Sequence, residues 1–226
     1  MRSRGRSVSN CYSGAEVSVR ERVVRGLIAS EHIVQFFDSD ESRAECVAGF
    51  LAEGYRAGEP AIVVARPVNW ANASALLHTR GVPVQQLIAD GMIVVHDADE
   101  TLRRISRNGS LDGEAFDGFV GKAVGKLAPR GPRVRAYGEM VDMLAQRDDL
   151  EDAIKLEAHW NRLGERIPFF LLCGYSAAHF VSTATHRALR DICAAHSRVH
   201  RHAQDPLATW LLNSAHRAPD AAAITY

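Results

Sequence analysis

The sequence predicts an α/β domain with three layers, in which a mostly parallel central sheet lies between two layers of helices. Five short runs rich in Val, Ile and Phe alternate along the chain with longer segments in which apolar residues recur at helical spacing. The short runs are apolar at both alternating sets of positions, which is typical of parallel strands buried on both faces. These two patterns together favour an open three-layer sandwich.

The individual elements follow in order from the same patterns. Five strands are predicted at residues 32–37, 61–65, 92–96, 134–139 and 169–175. A helix is predicted after the first strand, because the acidic residues from Asp38 onward favour a helix N-terminus and Gly58 suits a C-cap. Apolar residues at helical spacing predict four more helices, over residues 70–80, 116–127, 150–166 and 179–200.

Both ends of the chain differ from this core. Residues 1–30 contain six arginines and begin with a stretch rich in Ser and Gly. This composition predicts a flexible basic N-terminal extension, with one short amphipathic helix at residues 17–29. We expect one domain over residues 31–200 and a C-terminal tail over residues 201–226.

Composition argues against several classes of protein. The chain has 27 Lys+Arg and 27 Asp+Glu, so it lacks the net positive charge with which nucleic-acid-binding proteins attract phosphate. No apolar run approaches the roughly 20 residues that a membrane span needs, and the opening segment has no apolar core for a signal peptide. The four cysteines lie far apart, which fits reduced thiols better than a secreted disulfide framework. We therefore expect a cytoplasmic protein that contacts neither a membrane nor nucleic acid directly.

The loop after the first predicted strand does not suit a phosphate group. A P-loop needs glycines for close backbone approach, a lysine for the β- and γ-phosphates and a Ser or Thr for magnesium. Residues 38–43 instead read Asp-Ser-Asp-Glu-Ser-Arg, with three acids, no glycine and no lysine. This loop therefore supports neither ATP hydrolysis nor dinucleotide binding.

Candidate ligand-binding residues lie where the predicted strands end. Ligands of open parallel sheets bind in the crevice outside the carboxyl ends of the strands. Helix capping and contact with solvent explain three residues at these ends, which are Asp38, Arg66 and Asp97. A pocket is favoured for three others, which are Glu139, Cys173 and Tyr175. The neighbouring Gly138 and Gly174 would let a ligand or another backbone approach them closely.

Two other kinds of site have simpler explanations. Cys193, His196 and His200 would share one predicted helix and could hold zinc, but no second pair of cysteines completes a tetrahedral site. Cys173 with His196 could act as nucleophile and base in acyl transfer, but nothing in the sequence supplies an oxyanion hole. A solvated histidine-rich helix and a buried, unreactive cysteine are the favoured explanations for these residues. We predict no metal, no cofactor and no catalytic residue.

Five motifs, taken in order along the chain, resemble one known family. They are His32-Ile-Val-Gln-Phe-Phe37, Tyr137-Gly-Glu-Met140, Leu156-Glu-Ala-His-Trp-Asn161, Leu171-Leu-Cys-Gly-Tyr175 and Cys193-x-x-His196-Ser197. Together they resemble the MEDS domain, a methanogen/methylotroph sensory domain, over residues 31–200. The resemblance implies a fold related to the RecA/KaiC ATPase core from which the P-loop has been lost, in agreement with the acidic loop described above.

The same resemblance implies a function and a set of site residues. The family is regarded as a sensory module, proposed to recognise small hydrocarbon derivatives and found beside kinase or DNA-binding domains. Carried over by motif, the ligand-binding candidates are His32, Phe37, Tyr137, Glu139, Cys173, Tyr175 and His196. Glu139 and Tyr175 would orient a small organic ligand by hydrogen bonds, while Phe37 and Cys173 would add apolar or soft contacts.

We therefore expect a non-enzymatic signal-sensing domain that relays ligand binding to a partner protein. Because too few residues follow the predicted domain for an output module, the expected partner is a histidine kinase, an anti-sigma factor or a transcription regulator. The signal would pass through a homodimer or through an altered surface. Two alternatives stay open, which are a nucleotide-binding RecA-like ATPase or its degenerate relative, and a scaffold that only binds other proteins.

Overall fold

Six parallel strands form the central sheet of this computed structural model, which describes residues 30–180, 182 and 185–200. The strands are β1 (Glu31–Phe37), β2 (Ala61–Ala65), β3 (Ile93–Asp97), β6 (Val134–Gly138), β7 (Phe169–Ser176) and β8 (Arg198–His200). They lie in the order β3-β2-β6-β7-β1-β8, and every neighbouring pair is parallel. A separate antiparallel hairpin is formed by β4 (Ser106–Arg107) and β5 (Ser110–Leu111). Residues 1–29 of the predicted extension, with its helix at residues 17–29, and the predicted tail lie outside the described residues.

Helices occupy most of the connections between the strands. They are α1 (Asp40–Arg56), α2 (Pro67–Thr79), α3 (Val84–Ala89), α4 (Ala98–Arg104), α5 (Gly113–Phe116), α6 (Lys122–Leu127), α7 (Met140–Gln146), α8 (Leu150–Arg166) and α9 (His186–Ala195). A π-helical segment, Asp117–Gly121, joins α5 to α6, and short 3₁₀ turns follow α6 and β7.

The helices cover the two faces of the sheet in separate layers. Phe50 of α1 and Leu77 of α2 share one hydrophobic core with Ile33 and Phe37 of β1, and we call this side the α1 face. Helices α4 to α9 pack into a second core with Val34 and Phe36 of the same strand, and we call this side the α8 face. Because successive side chains of a strand point to opposite faces, β1 contributes to both cores, as do β2, β6 and β7. This arrangement confirms the predicted three-layer α/β sandwich.

Local signals in the sequence explain how α1 begins and ends. The hydroxyl of Ser39 accepts a hydrogen bond from the backbone N–H of Ser42, and the hydroxyl of Ser42 accepts one from the backbone N–H of Ser39. Gly58 has φ of 68°, in the left-handed region that glycine adopts without steric cost. The expected acidic start and glycine stop of this helix are therefore confirmed.

A crevice lies between β2 and β6 because the helices that follow these two strands pack on opposite faces of the sheet. The chain leaves β2 through α2 and α3 on the α1 face, whereas it leaves β6 through α7 on the α8 face. Since β2 and β6 are neighbours, their carboxyl ends flank a topological switch point, where open α/β sheets usually bind ligands. Arg66 and Glu139 are the first residues after these two strands.

The last predicted helix differs from the structure. It was expected over residues 179–200, but α9 ends at Ala195 and His196 has extended backbone, with φ of −108° and ψ of 145°. Residues 198–200 form β8, a sixth strand that pairs with β1 from Ile33 to Gln35. Three residues are too few to show a period of two, so this strand and the short β4–β5 hairpin left no pattern in the sequence.

Candidate functional site

A buried carboxylate on α8 is the centre of the most polar part of the interior. Glu157 is fully buried and accepts hydrogen bonds from the Tyr175 hydroxyl at 2.8 Å and from the Cys173 thiol at 3.2 Å. The Nε2 atoms of His32 and His196 lie 3.1 Å and 3.4 Å from its two oxygens. We call these five residues the Glu157 cluster. Its members come from β1, α8, β7 and the residue after α9, so only the folded chain assembles it.

Contacts outside the cluster orient both imidazole rings. His32 Nδ1 lies 2.8 Å from the side-chain oxygen of Asn161, whose amide nitrogen donates to the Ala195 carbonyl at 2.9 Å. His196 Nδ1 lies 2.6 Å from the carbonyl oxygen of Ile192. Since these oxygens only accept hydrogen bonds, each Nδ1 carries a proton and each Nε2 faces Glu157.

A pair of hydrogen bonds places His196 beside His32. The Ser197 hydroxyl accepts from the backbone N–H of His32 at 2.9 Å, and the Ser197 N–H donates to the His32 carbonyl at 2.8 Å. These bonds tie the start of β8 to the start of β1, and the two imidazole centroids lie 4.0 Å apart. The position of His196 therefore depends on the sixth strand.

The charges of the Glu157 cluster shift its protonation equilibria. Burial alone would raise the pKa of Glu157, but His196 and His32 hold it far below its usual range. Burial would lower the pKa of His196, but the Glu157 carboxylate raises it. Burial and the same carboxylate raise the pKa values of the Cys173 thiol and the Tyr175 phenol well above normal. Thiol and phenol therefore stay protonated at neutral pH and donate to an ionised Glu157.

A cleft of about 450 Å³ leads from the surface to this cluster. His32 and His196 belong to its lining, together with Asn161 and Trp160 of α8. Ser30, Phe169 and Ser197 also line it, and they precede or begin β1, β7 and β8. The cleft thus opens at the amino edge of the sheet, opposite the edge at which the sequence predicted a pocket.

A second polar cluster lies at the switch point on the carboxyl edge, and we call it the Glu139 cluster. It consists of Arg43, Arg66, Asn69, Tyr137, Glu139 and Asp142. Glu139 is fully buried, accepts from the Tyr137 hydroxyl at 2.8 Å, and accepts on its other oxygen from the Asn69 amide at 2.9 Å and the Arg66 backbone N–H at 3.0 Å. Its carboxylate is therefore engaged by the protein on both oxygens.

Asp142 completes the Glu139 cluster from α7. Its carboxylate pairs with the guanidinium groups of Arg43 and Arg66 and accepts from the Ser176 backbone N–H at 2.6 Å. His179 Nε2 lies 3.3 Å from the same carboxylate. Ion pairs among the protein's own side chains thus occupy this part of the crevice.

The structure divides the seven predicted site residues between these two clusters. His32, Cys173, Tyr175 and His196 surround Glu157 on the α8 face, whereas Tyr137 and Glu139 lie on the α1 side of the sheet. Phe37 also lies on the α1 face, where its ring centroid is 5.0 Å from the Arg43 guanidinium carbon. Among the residues that the structure describes, these seven do not form the single pocket at the strand ends that the sequence predicts. The reason is strand alternation, which directs residues 173 and 175 to the opposite face from residues 33 and 37.

The cysteines and histidines considered for a zinc site and for a nucleophile are arranged differently from what the sequence predicts. Cys193, His196 and His200 do not share a helix, because α9 ends at Ala195 and His200 is in β8. Of these three, only His196 joins the Glu157 cluster, and burial raises the pKa of Cys193 to about 11. Cys173 does lie near histidine, but its thiol donates to Glu157 and its raised pKa disfavours the thiolate that a nucleophile needs.

Sequence reasoning missed the residues that organise both clusters. Glu157 belongs to the motif at residues 156–161 but is not among the predicted site residues, although it follows Leu156 and precedes Trp160 on the apolar side of α8. A carboxylate within an apolar helical stripe is a usable signal, because charge is costly to bury without partners. Arg43 and Asp142 carried no such signal, since helix positions near a strand end are usually exposed.

Comparison with known proteins identifies the family. The family model described as MEDS, the MEthanogen/methylotroph, DcmR Sensory domain, matches residues 31–197, which is more than two thirds of the chain. None of the curated proteins matches the chain. Within the part of the chain that the structure describes, no helix has both the length and the apolar character needed to cross a membrane. The match covers β1 through α9 together with both clusters, and the chain therefore belongs to the MEDS family of sensory domains.

Proposed function

We propose that this protein is a non-enzymatic sensor that binds a small organic molecule in the cleft at the amino edge of the sheet and relays its presence to a partner regulator. The observation that carries the proposal is the cleft of about 450 Å³ whose inner wall contains His32 and His196 of the Glu157 cluster. Small-molecule sites in proteins have volumes of about 300–1,000 Å³ and combine apolar walls with a few fixed polar groups.

The lining of the cleft fits an organic ligand with one polar end. Trp160, Phe169 and Ala195 supply apolar surface, while Ser30 and Asn161 supply hydrogen-bonding groups. A ligand of this kind would bury its carbon atoms against the apolar wall and direct its polar atom towards the histidines. Small hydrocarbon derivatives, for which the family is proposed as a sensor, include molecules of this kind.

The position of the cleft suggests how binding would reach a partner. It lies between α8 and the α9–β8 segment, and β8 pairs only with β1 within the described residues. A ligand that contacts both sides favours the conformation in which α9 packs closely on α8, because a ligand stabilises whichever state it binds more tightly. The outer surface of α9 and the edge of β8 would then present a changed face to a regulator.

The nucleotide-binding alternative has less support. At the start of α1, the Ser42 N–H donates to Ser39 and the Ser42 hydroxyl donates to Asp38 at 2.8 Å. A triphosphate placed there would meet occupied donors and the carboxylates of Asp38, Asp40 and Glu41. Calorimetry with Mg-ATP tests this directly, and binding that depends on this loop would favour the alternative.

A thermal-shift screen with a matched pair of variants tests the sensor proposal. The full chain is screened against short-chain alcohols, amines, carboxylic acids and halogenated hydrocarbons. Ala195→Leu adds bulk to the cleft wall while leaving the backbone carbonyl that orients Asn161. Glu114→Leu is the control, because Glu114 lines a second surface cleft of about 470 Å³ away from the Glu157 cluster.

We expect at least one compound to raise the melting temperature of the wild type and of Glu114→Leu, but not that of folded Ala195→Leu. A ligand at 100 times its Kd stabilises a protein by about 2.7 kcal/mol, which such a screen resolves. The proposal fails if no compound class produces a shift, or if the shift persists unchanged in Ala195→Leu.

A further inference from the structure

Four potential metal ligands converge in the Glu157 cluster. His32, Glu157, Cys173 and His196 each offer one donor atom, and these atoms all lie within 4.8 Å of one another. All four residues are buried, and they come from distant parts of the chain. Two imidazoles, a thiol and a carboxylate are donors that zinc and similar divalent transition metals take in proteins.

The spacing of these atoms is close to that of a tetrahedral site. Zinc bonds of about 2.0–2.3 Å at tetrahedral angles place neighbouring ligand atoms roughly 3.3–3.8 Å apart. His32 Nε2 lies 3.1 Å from Glu157 and 3.2 Å from the Cys173 sulfur, and His196 Nε2 lies 3.4 Å from Glu157. These three distances are within a few tenths of an ångström of the tetrahedral range, and the other ligand atoms lie no more than 4.8 Å from one another. Small side-chain movements would therefore bring all four atoms around one ion.

The contacts outside the cluster are those of a metal centre. Ligating histidines almost always donate their second ring N–H to a carbonyl or carboxylate oxygen, which fixes the tautomer. Here His32 Nδ1 faces the Asn161 oxygen at 2.8 Å, and His196 Nδ1 faces the Ile192 carbonyl at 2.6 Å. Both Nε2 atoms are thus directed inward, and in the neutral ring each presents a lone pair.

One atom of the cluster has only a long contact where a metal ion would supply a bond. Within the described residues, the buried His196 Nε2 makes no hydrogen bond, and it lies 3.4 Å from the Glu157 carboxylate. A buried polar atom without a hydrogen bond is unfavourable, because it has lost its contacts with water and gained no partner in exchange. Two inward lone pairs and a carboxylate around one point repel one another unless a cation or added protons lie between them.

We propose that the Glu157 cluster binds one divalent transition metal of the zinc class through His32 Nε2, His196 Nε2, the Cys173 sulfur and a Glu157 oxygen. Binding releases to solvent the thiol proton of Cys173 and any proton held on either Nε2, while each imidazole keeps the proton on Nδ1. The thiolate and the carboxylate then neutralise the two positive charges of the ion. The cleft beside His32 and His196 is the route of access, and the inference does not depend on an organic ligand.

Cobalt(II) titration of the reduced, chelator-treated full chain tests this inference, because a cobalt–sulfur bond gives charge-transfer absorption and tetrahedral cobalt gives strong visible bands. We expect saturation at one equivalent, followed by displacement of cobalt by zinc. Cys173→Ser removes the charge-transfer absorption. Cys193→Ser is the matched control, because this half-buried cysteine lies outside the cluster, and it leaves the spectrum unchanged.

Asn161→Ala provides a second measurement that keeps all four ligands. Loss of such an outer contact weakens metal affinity by about 10–100-fold. We expect a loss of this size, measured by competition with a chelating dye, whereas a purely structural role for Asn161 would leave cobalt affinity unchanged. Absence of a sulfur–cobalt band in the wild type overturns the inference, as does a band that is lost in Cys193→Ser and kept in Cys173→Ser. Both results are independent of the organic-ligand screen.

Discussion

Asp142→Ala tests whether the Glu139 cluster stabilises the domain as a network of buried charges. Asp142 is 1% exposed and pairs with Arg43, which is 4% exposed, and with Arg66. Within the described residues, the Nε and one terminal nitrogen of Arg43 already lack a hydrogen-bond partner. Truncation of Asp142 would therefore leave a buried guanidinium with its principal counter-charge removed.

The expected cost follows from that burial. Removal of one partner from a buried ion pair destabilises a protein by about 3–5 kcal/mol, because the remaining charge stays desolvated. For a domain of this size each kcal/mol lowers the melting temperature by about 2–4 °C, so the expected decrease is about 6–20 °C. Arg43→Met combined with Asp142→Leu should recover most of this loss, since an apolar pair needs no counter-charge.

Urea denaturation gives the free energy of unfolding for each variant, provided that the denaturant slope is unchanged. Asp99→Ala is the control, because Asp99 forms a 3.0 Å ion pair with Arg147 in which both side chains are more than half exposed. An exposed pair contributes less than about 1 kcal/mol. If Asp142→Ala costs no more than Asp99→Ala, the buried network does not stabilise the fold and the reasoning is refuted.

Two further predictions concern packing and pH. Gly174→Ala should lower the free energy of unfolding by about 1–3 kcal/mol in urea denaturation, because the new Cβ would lie 2.9 Å from the Phe37 ring. Gly118→Ala should raise it by about 0.4–1 kcal/mol, because the space around the new Cβ is open. Equal effects of the two substitutions would contradict this prediction. Burial would raise the pKa of Asp152, but hydrogen bonds from Lys155 and from the Leu111 backbone N–H lower it below the ordinary value of 3.8. The contribution of Asp152 to the free energy of unfolding is therefore present above pH 3.8 and is lost as the pH falls through the lowered pKa. The stability difference between wild type and Asp152→Asn should therefore shrink in acid, and a pH-independent difference would contradict the assignment.

Much of the fold could be predicted because its signals are local. The runs that became β2 and β7 were recognisable from apolar residues within five to eight positions, and α8 from its helical period. Gly58 marked the end of the first helix through its own conformational freedom. By contrast, β8 is a strand only because β1 offers it backbone hydrogen bonds, and three residues carry no periodicity of their own.

The candidate site was predictable only in part. Four of the seven chosen residues, which are His32, Cys173, Tyr175 and His196, do meet in space. The expectation that they share a pocket with Glu139 overlooked strand alternation, which a count of positions along β7 could have revealed. The central role of Glu157 could have been inferred from a carboxylate on the apolar side of α8, but its four partners could not, because they come from other elements.

The sequence by itself determined the class of fold, the five longer strands of the sheet and the absence of P-loop glycines and lysine from residues 38–43, because each depends on the chemistry of a short window of residues. Only the tertiary structure decided the strand order, the amino-edge cleft and the contact between His32 and His196. The two rings lie 4.0 Å apart, although the residues are near opposite ends of the domain's sequence. The physical reason is that contacts between distant segments are set by how all the apolar faces pack together, and no single segment contains that information.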